Sequence, residues 1–413
     1  MRIVRLSGEW SRPATESAIA LEVGAILEEV RQGGDAAVLT LTERFDHAEL
    51  GPEQLRVDAN ELEASIGVLE PDVLAGLRTA IANVKAVAKA QVHDEQVTVD
   101  LLEGHSVELV ERPVRRAAVY VPGGRAPYPS TVVMGAVPAR VAGVEEIAVC
   151  APPGPGGRAH PVILAACVLC EVFEVYRMGG AQAIAALAFG TETVRPVDVI
   201  VGPGNRYVQE AKRQVVGQVG IDGIAGPSEL VVVASADADP ELVALDLMAQ
   251  AEHGEDSAVW CISADRPLLD AVEAAIQRLL PGRSSVANAE AHLVDARDIG
   301  EALSSADSIA PEHLELVGAE AEGLADRVRN AGCLFVGAGA ATAFGDYVAG
   351  SNHVLPTGGA ARFQSALSPA TFRRRMARVS LPGEAPARLA PAGAALARAE
   401  GFPVHAESME RRA

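Results

Sequence analysis

The sequence predicts an α/β fold built on parallel sheets, and three observations carry that prediction. Short β-branched runs alternate with longer amphipathic runs through the middle of the chain. The apolar runs end in turn residues, as at Pro122-Gly123-Gly124, Pro152-Pro153-Gly154 and Gly202-Pro203-Gly204-Asn205. Of the 413 residues, 49% are apolar and 22% charged, which suits two or three globular domains with a large buried core. Strands alternating with helical runs call for a parallel sheet covered by helices on both faces.

The elements follow in order. Residues 17–32, 35–43 and 71–91 read as helices. Ala117-Ala118-Val119-Tyr120-Val121 reads as a strand, Thr131 to Gly143 as a helix, and Ile147-Ala148-Val149-Cys150 as the next strand. Helix 160–170, strand 172–177, helix 180–188, strand 197–201 and helix 206–216 come next. The pattern resumes with strand 229–234, helix 240–251, strand 258–263 and helix 267–279, and 333–336 is a further strand. The last 45 or so residues, rich in Ala, Arg and Pro, suit short helices in an arm. No internal repeat is visible.

Charge and cysteine usage bound the function. A net charge of -20 argues against a nucleic-acid or anionic-membrane partner. The basic run Arg373-Arg374-Arg375 reads as a solvated helix face. No stretch has the length of a membrane span, and the N-terminus has no apolar signal region, so a cytoplasmic location is expected. The five cysteines sit in apolar runs and suit reduced, buried thiols. Cys167 and Cys170 form a C-x-x-C with no second pair, and read as core residues on one helical face.

Several segments carry chemistry. Pro311-Glu312-His313 places a carboxylate beside an imidazole at what reads as a helix start. Capping explains Pro311 and Glu312 but not His313. Gln250 and His253, three apart at a helix end, can grip one cation, although a histidine there is also favoured by the helix dipole. Asp346, in a Gly-flanked turn, offers a carboxylate or satisfies its own backbone. Asn205 suits anion binding at a strand–turn–helix junction and equally suits a plain N-cap. Tyr120 sits at a strand end, where α/β sheets meet ligands. His405 follows Glu400 by five residues in the C-terminal arm. Gly337-Ala338-Gly339-Ala340-Ala341-Thr342 fails as a dinucleotide fingerprint, because Thr342 stands where the third glycine is needed. No H-E-x-x-H or G-x-S-x-G motif is present.

Taken in order, these segments resemble the L-histidinol dehydrogenase family from about residue 25 onward. The carriers are Val119-Tyr120-Val121-Pro122-Gly123-Gly124, Met178-Gly179-Gly180-Ala181-Gln182-Ala183-Ile184-Ala185-Ala186 and Gly202-Pro203-Gly204-Asn205. Ala225-Gly226-Pro227-Ser228-Glu229, Gln250-Ala251-Glu252-His253-Gly254, Pro311-Glu312-His313-Leu314 and Asn352-His353-Val354-Leu355-Pro356-Thr357 complete the set.

The resemblance implies two incomplete Rossmann-like domains, one inserted in the other, with small arms exchanged in a homodimer. It divides the chain into an N-terminal arm (1–15), a first domain (16–119 plus 229–367), an inserted second domain (120–228) and a C-terminal arm (368–413). It implies one zinc ion per subunit on Gln250, His253, Asp346 and, from the other subunit, His405. It implies a catalytic pair, Glu312 and His313. The metal residues, His313, Ser228, His353 and Glu400 would meet the substrate L-histidinol. Tyr120, Gln182 and Asn205 would contact NAD+, two of which are used in turn. The implied reaction is the four-electron oxidation of L-histidinol to L-histidine, the last step of histidine biosynthesis. Pro403, just before His405, departs from the family's usual spelling and bears on how the arm enters the site. Two rivals are a dehydrogenase of the same fold acting on another alcohol, such as sulfopropanediol, and a non-catalytic metal-dependent binding protein.

Overall fold

The computed structural model describes residues 1–7, 19–92, 96–123 and 126–413. The chain opens with β1 (Arg2–Ser7), α1 (Ala20–Asp46), α2 (Ala59–Ala64) and α3 (Pro71–Ala90). A short antiparallel ladder starts with β2 (Val97–Asp100) and β3 (Ser106–Pro113). Then come β4 (Arg116–Tyr120), α4 (Pro129–Ala142), β5 (Glu146–Ala151), α5 (Pro161–Leu169), β6 (Glu174–Arg177) and α6 (Gly180–Phe189). β7 (Val199–Val201), α7 (Arg206–Val215) and β8 (Gly220–Ile221) close this unit. The second run is β9 (Glu229–Ala234), α8 (Pro240–Ala251), β10 (Ala258–Ser263), α9 (Arg266–Leu279), β11 (Glu290–Asp295) and α10 (Ile299–Ile309). It continues with β12 (His313–Val317), α11 (Ala319–Glu322), β13 (Cys333–Val336) and α12 (Thr342–Tyr347). The chain ends in β14 (Arg373–Ser380), α13 (Ala385–Ala399) and α14 (Pro403–Glu410).

Among the described residues these strands build two parallel sheets, as the alternation predicts. The five-stranded sheet has the order β6-β5-β4-β7-β8 and the six-stranded sheet the order β1-β11-β10-β9-β12-β13. Period-2 alternation sends successive side chains to opposite faces. Ala117 and Val119 thus pack towards α3, α4 and α5, while Ala118 and Tyr120 pack towards α1, α6 and α7. In the six-stranded sheet Leu230 and Val232 face α8 and α9, and Val231 and Val233 face α10. Strands covered on both sides need apolar residues at every position, which is why they read as unbroken runs.

The structure departs from the sequence reading in five places. The two helices expected at 17–32 and 35–43 are one helix, α1, kinked at Gly34 (φ 56°, ψ -139°), while residues 17 and 18 lie outside the described residues. Asp35 fixes the kink by accepting hydrogen bonds from the Thr191 and Thr193 hydroxyls. Residues 20–90, expected in the first domain, pack instead on the five-stranded sheet. Within the expected N-terminal arm, residues 2–7 form β1, an edge strand parallel to β11, and residues 8–15 lie outside the described residues. Arg373-Arg374-Arg375 is no helix face. It opens β14, which pairs antiparallel with β3, and Arg373 and Arg375 both meet Glu111.

The fifth departure concerns the reacting pair. Glu312 and His313 do not start a helix. α10 ends at Ala310, a left-handed residue (φ 49°, ψ 62°), and Pro311 and Glu312 lead directly into β12. The Pro-Glu signature of a helix start is overridden because β12 fits between β9 and β13 in the sheet interior.

Candidate active site

A cleft of about 430 Å³ lies between the two sheets. Its walls have opposite polarity. The five-stranded sheet contributes the carboxyl ends of β4 and β7, through Pro122, Gly123 and the Gly202–Asn205 turn, and with them the N-terminus of α7. The six-stranded sheet contributes the amino ends of β9 and β12, with Ser228, Glu312 and His313. The helices on that side therefore end towards the cleft, α8 just before His253 and α10 just before Glu312. Helix N-termini favour anions and helix C-termini favour cations. One wall thus suits a phosphate-bearing cofactor and the other a metal ion.

The reacting pair is held by one residue of β9. The Glu229 N–H donates to Glu312 Oε2 at 2.9 Å, and Nδ1 of His313 lies 3.1 Å from the Glu229 carbonyl oxygen. A carbonyl only accepts, so Nδ1 carries the hydrogen and Nε2 is left as the basic nitrogen. Nε2 stands 3.7 Å from Asp346 Oδ1. Both members of the pair are buried. Burial opposes charge on His313, but with no cation beside them the carboxylates of Glu312 and Asp346 overcome it and push the imidazole up to about 9, so a cation held by Asp346 would be what frees Nε2 to act as a base.

Asp346 is the hub of the site. It lies in α12 rather than in a free turn. Its Oδ2 is 3.9 Å from His253 Nε2, and its carbonyl oxygen is 2.8 Å from His353 Nδ1. His253 in turn places Nδ1 3.2 Å from the Gln250 carbonyl oxygen, which leaves Nε2 turned to Asp346. His353 is pulled below its ordinary value, chiefly by burial and against the pull of Asp346.

These residues fit a metal ion. Both amide atoms of Gln250 are buried, and neither they nor Nε2 of His313 has a hydrogen-bond partner among the described residues. An orphaned buried amide costs about 1–3 kcal/mol unless something binds it. Two ligands sharing a tetrahedral ion at ~2.1 Å lie roughly 3.4 Å apart, near the His253–Asp346 spacing. No group of three His, Cys, Asp or Glu among the described residues forms a metal cage by itself. The set here is an amide, an imidazole and a carboxylate, one ligand short of four.

The other expected site residues are placed as follows. Ser228 and His353 line the cleft. Asn205 lines it too, while its side chain caps α7 by accepting from Tyr207 N and Val208 N. Tyr120 and Gln182 do not line it. Tyr120 is buried with its hydroxyl accepting from Gly180 N, and Gln182 donates to Asp46. Glu400 and His405 are exposed in the C-terminal arm and do not line the cleft of their own chain. Gly337–Thr342 cradles no phosphate, since the Thr342 N–H and hydroxyl are both taken by Glu315.

Sequence reasoning missed Lys212 and Asp222. Lys212 donates to the Gly202 carbonyl oxygen (3.0 Å) and pairs with Asp222, which accepts from Gly202 N–H (2.7 Å). This buried pair locks the Gly202–Asn205 turn that forms the cleft wall. A lysine in an amphipathic helix gives no sign of it.

A family model described as Histidinol dehydrogenase matches residues 11–413. The chain belongs to the histidinol dehydrogenase family. The histidinol dehydrogenase of Gluconobacter oxydans (strain 621H) is 44% identical over 410 residues, covering 97% of this chain and 94% of the relative. That of Parasynechococcus marenigrum (strain WH8102) is 46% identical over 396 residues, covering 94% and 90%. The crystal structure of histidinol dehydrogenase from Elizabethkingia anophelis matches with a TM-score of 0.92 at 32% identity, covering 99% of this chain and 97% of that one. As a member of the histidinol dehydrogenase family the chain is an oxidoreductase. Among its described residues no helix is long and apolar enough to cross a membrane.

Proposed function

We propose that the chain is a zinc-dependent L-histidinol dehydrogenase. It oxidises L-histidinol through L-histidinaldehyde to L-histidine with two NAD+, as the last step of histidine biosynthesis in the cytoplasm. The observation that carries this reading is the convergence of Glu312, His313, Asp346 and His253 on one cleft wall.

Gln250, His253 and Asp346 would hold the zinc, and His405 of a second copy would complete the set. When bound, zinc would orient the substrate's amino and imidazole nitrogens and NAD+ would take the hydride. His313 Nε2 accepts the hydroxyl proton as hydride leaves carbon, giving the aldehyde and one NADH. Glu312 takes a proton from the water that adds to the aldehyde. The hydrate would then lose a second hydride, giving a second NADH, as one hydroxyl proton passes to His313, by then relieved of its first proton, and the resulting acid would ionise to the carboxylate. Ser228, His353 and Glu400 of the second copy would bind the substrate's polar groups. Asn205 would position NAD+ on the wall that presents the α7 N-terminus, and Tyr120 and Gln182, which lie outside the cleft lining, would meet the part of it that reaches beyond.

The same reading makes the protein a homodimer with exchanged arms. It is supported by the exposure of Glu400 and His405 away from their own cleft. The test is NADH formation on adding L-histidinol to zinc-loaded protein. Two NADH per histidinol are expected. No reduction of NAD+ by histidinol or any other alcohol would sink the reading.

A further inference from the structure

Behind the reacting groups lies a second tier of polar residues that the chemistry above does not use. Glu315 is buried on β12, two residues after His313 and on the same strand face. Its Oε1 accepts both the Thr342 N–H, at 2.8 Å, and the Thr342 hydroxyl. Thr342 begins α12, four residues before Asp346 and on its face. Oε2 of Glu315 is buried with no donor of its own. The carboxyl of Asp246, on α8, faces Glu315 closely enough that burial and the Glu315 charge together push it up to about 8. Asp246 precedes Gln250 by four residues and shares its helix face.

The three members thus repeat the site one step back. Each stands one structural repeat from a site residue on its own element: Asp246 from Gln250, Glu315 from His313, Thr342 from Asp346. Two carboxyls can hydrogen-bond only if a proton lies between them. A proton so shared would give Oε2 of Glu315 a donor. Apolar packing would hold α8, β12 and α12 together more cheaply, but it has no direction, whereas a satisfied buried network fixes one arrangement.

We propose that Asp246, Glu315 and Thr342 form a positioning clamp, hydrogen-bonded through one shared proton, that sets the placement of Gln250, His313 and Asp346 around the metal. This rests on the metal reading given under Proposed function. The clamp residues touch neither substrate nor cofactor. They act through the backbone of the three elements that carry the ligands and the base.

The test measures zinc affinity by competition with a chromogenic chelator, alongside kcat and KM for L-histidinol. Glu315→Leu is expected to weaken zinc binding about 10- to 100-fold, the range seen when outer-shell partners of a metal site are lost. Its kcat falls more than its KM rises. Glu315→Gln restores both, because an amide accepts from Thr342 and donates to Asp246. Val272→Ala, in the core between α9 and its sheet, is the control: it lowers the melting temperature and leaves zinc affinity unchanged. If Glu315→Leu does not fold, Thr342→Val and Asp246→Leu carry the test, each with several-fold weaker zinc binding expected. Wild-type zinc affinity in the folded clamp variants overturns the clamp, as does equal loss of zinc in Val272→Ala. Wild-type protein that takes up no zinc overturns the metal reading and the clamp with it. Wild-type protein that binds zinc beside unaffected variants overturns the clamp alone.

Discussion

Nδ1 of His313 lies 3.1 Å from the carbonyl oxygen of Glu229, and the N–H of that same Glu229 donates to Glu312. One residue of the neighbouring strand therefore sets both the tautomer of the base and the direction of the carboxylate. Proton transfer at this site depends on main-chain geometry that no substitution at 229 other than proline removes.

The first prediction concerns pH. In the metal-free protein the His313 ring is expected to titrate near 9, as followed by the NMR shifts of its ring. Its folded value lies above the ordinary 6.5, so the stability it contributes is full below that value and is lost as pH rises through about 9. The metal-free melting temperature should fall across this window. Glu312→Gln removes a pull towards the charged form and should move the midpoint down. A ring that titrates at or below its ordinary value in both proteins refutes the assignment.

Removing the carboxylate at 312 should separate the two oxidations. Glu312→Gln keeps an acceptor for the Glu229 N–H, so the fold and the first hydride transfer survive. Water addition to the aldehyde is expected to slow by about 100- to 10,000-fold. Stopped-flow absorbance should show a burst of one NADH per site and then a slow second phase. Two equivalents released at wild-type rate would exclude Glu312 from the second step.

Mixing subunits tests the exchanged arm. Glu312→Gln and His405→Asn homodimers are each expected to show almost no steady-state turnover to L-histidine. In a mixed dimer one of the two sites is fully wild type. An equal mixture, after subunit exchange, should regain about a quarter of wild-type activity by the symmetry of a dimer. Mixed dimers that stay dead, once native mass spectrometry shows that they form, would place His405 outside the partner's site.

Gln250 offers a trade between stability and function. Its amide is buried with no hydrogen-bond partner among the described residues. Gln250→Leu should stabilise the metal-free protein by about 1–3 kcal/mol, since an apolar side chain removes an unsatisfied group. It should also abolish the rise in melting temperature that zinc gives. Calorimetry with and without chelator reads both effects. A metal-free variant that melts below wild type would mean the amide is satisfied in solution.

Gly202→Ala tests the wall opposite the metal. Gly202 has φ 117°, and a Cβ there would drive into the carbonyl oxygen of Tyr120. The turn must then move, and the KM for NAD+ is expected to rise far more than that for histidinol. Equal effects on both would argue that the turn does not serve the cofactor.

The sequence shows the strands buried on both faces, such as 117–120 and 229–234, because their apolar runs are unbroken. It hides β1, β11 and β12, whose polar residues interrupt the run. His313 is unreadable as a strand residue, since Pro311 and Glu312 carry the local signature of a helix start and only the slot between β9 and β13 overrides it. The side chains facing the cleft were legible as chemistry because Gln, His, Asp and Glu cluster around otherwise apolar segments. Lys212, Asp222 and the Glu315 clamp were not, because each is satisfied by a residue distant in sequence. Which sheet α1 and α3 would cover was equally invisible, since amphipathic helices record that they pack and not against what.

Ala310 ends α10 in a conformation that glycine adopts freely and alanine does not, at a cost of about 1 kcal/mol. A glycine would relieve this, yet it would also open several exits for the chain. The methyl group disfavours the exit the chain takes here, so the pairing of β12 with β9 and β13 must offset its cost as Pro311 and Glu312 enter the strand. The helix-to-strand corner thus resembles a cocked spring: the neighbouring strands hold it in place and so keep the two proton carriers aimed into the cleft.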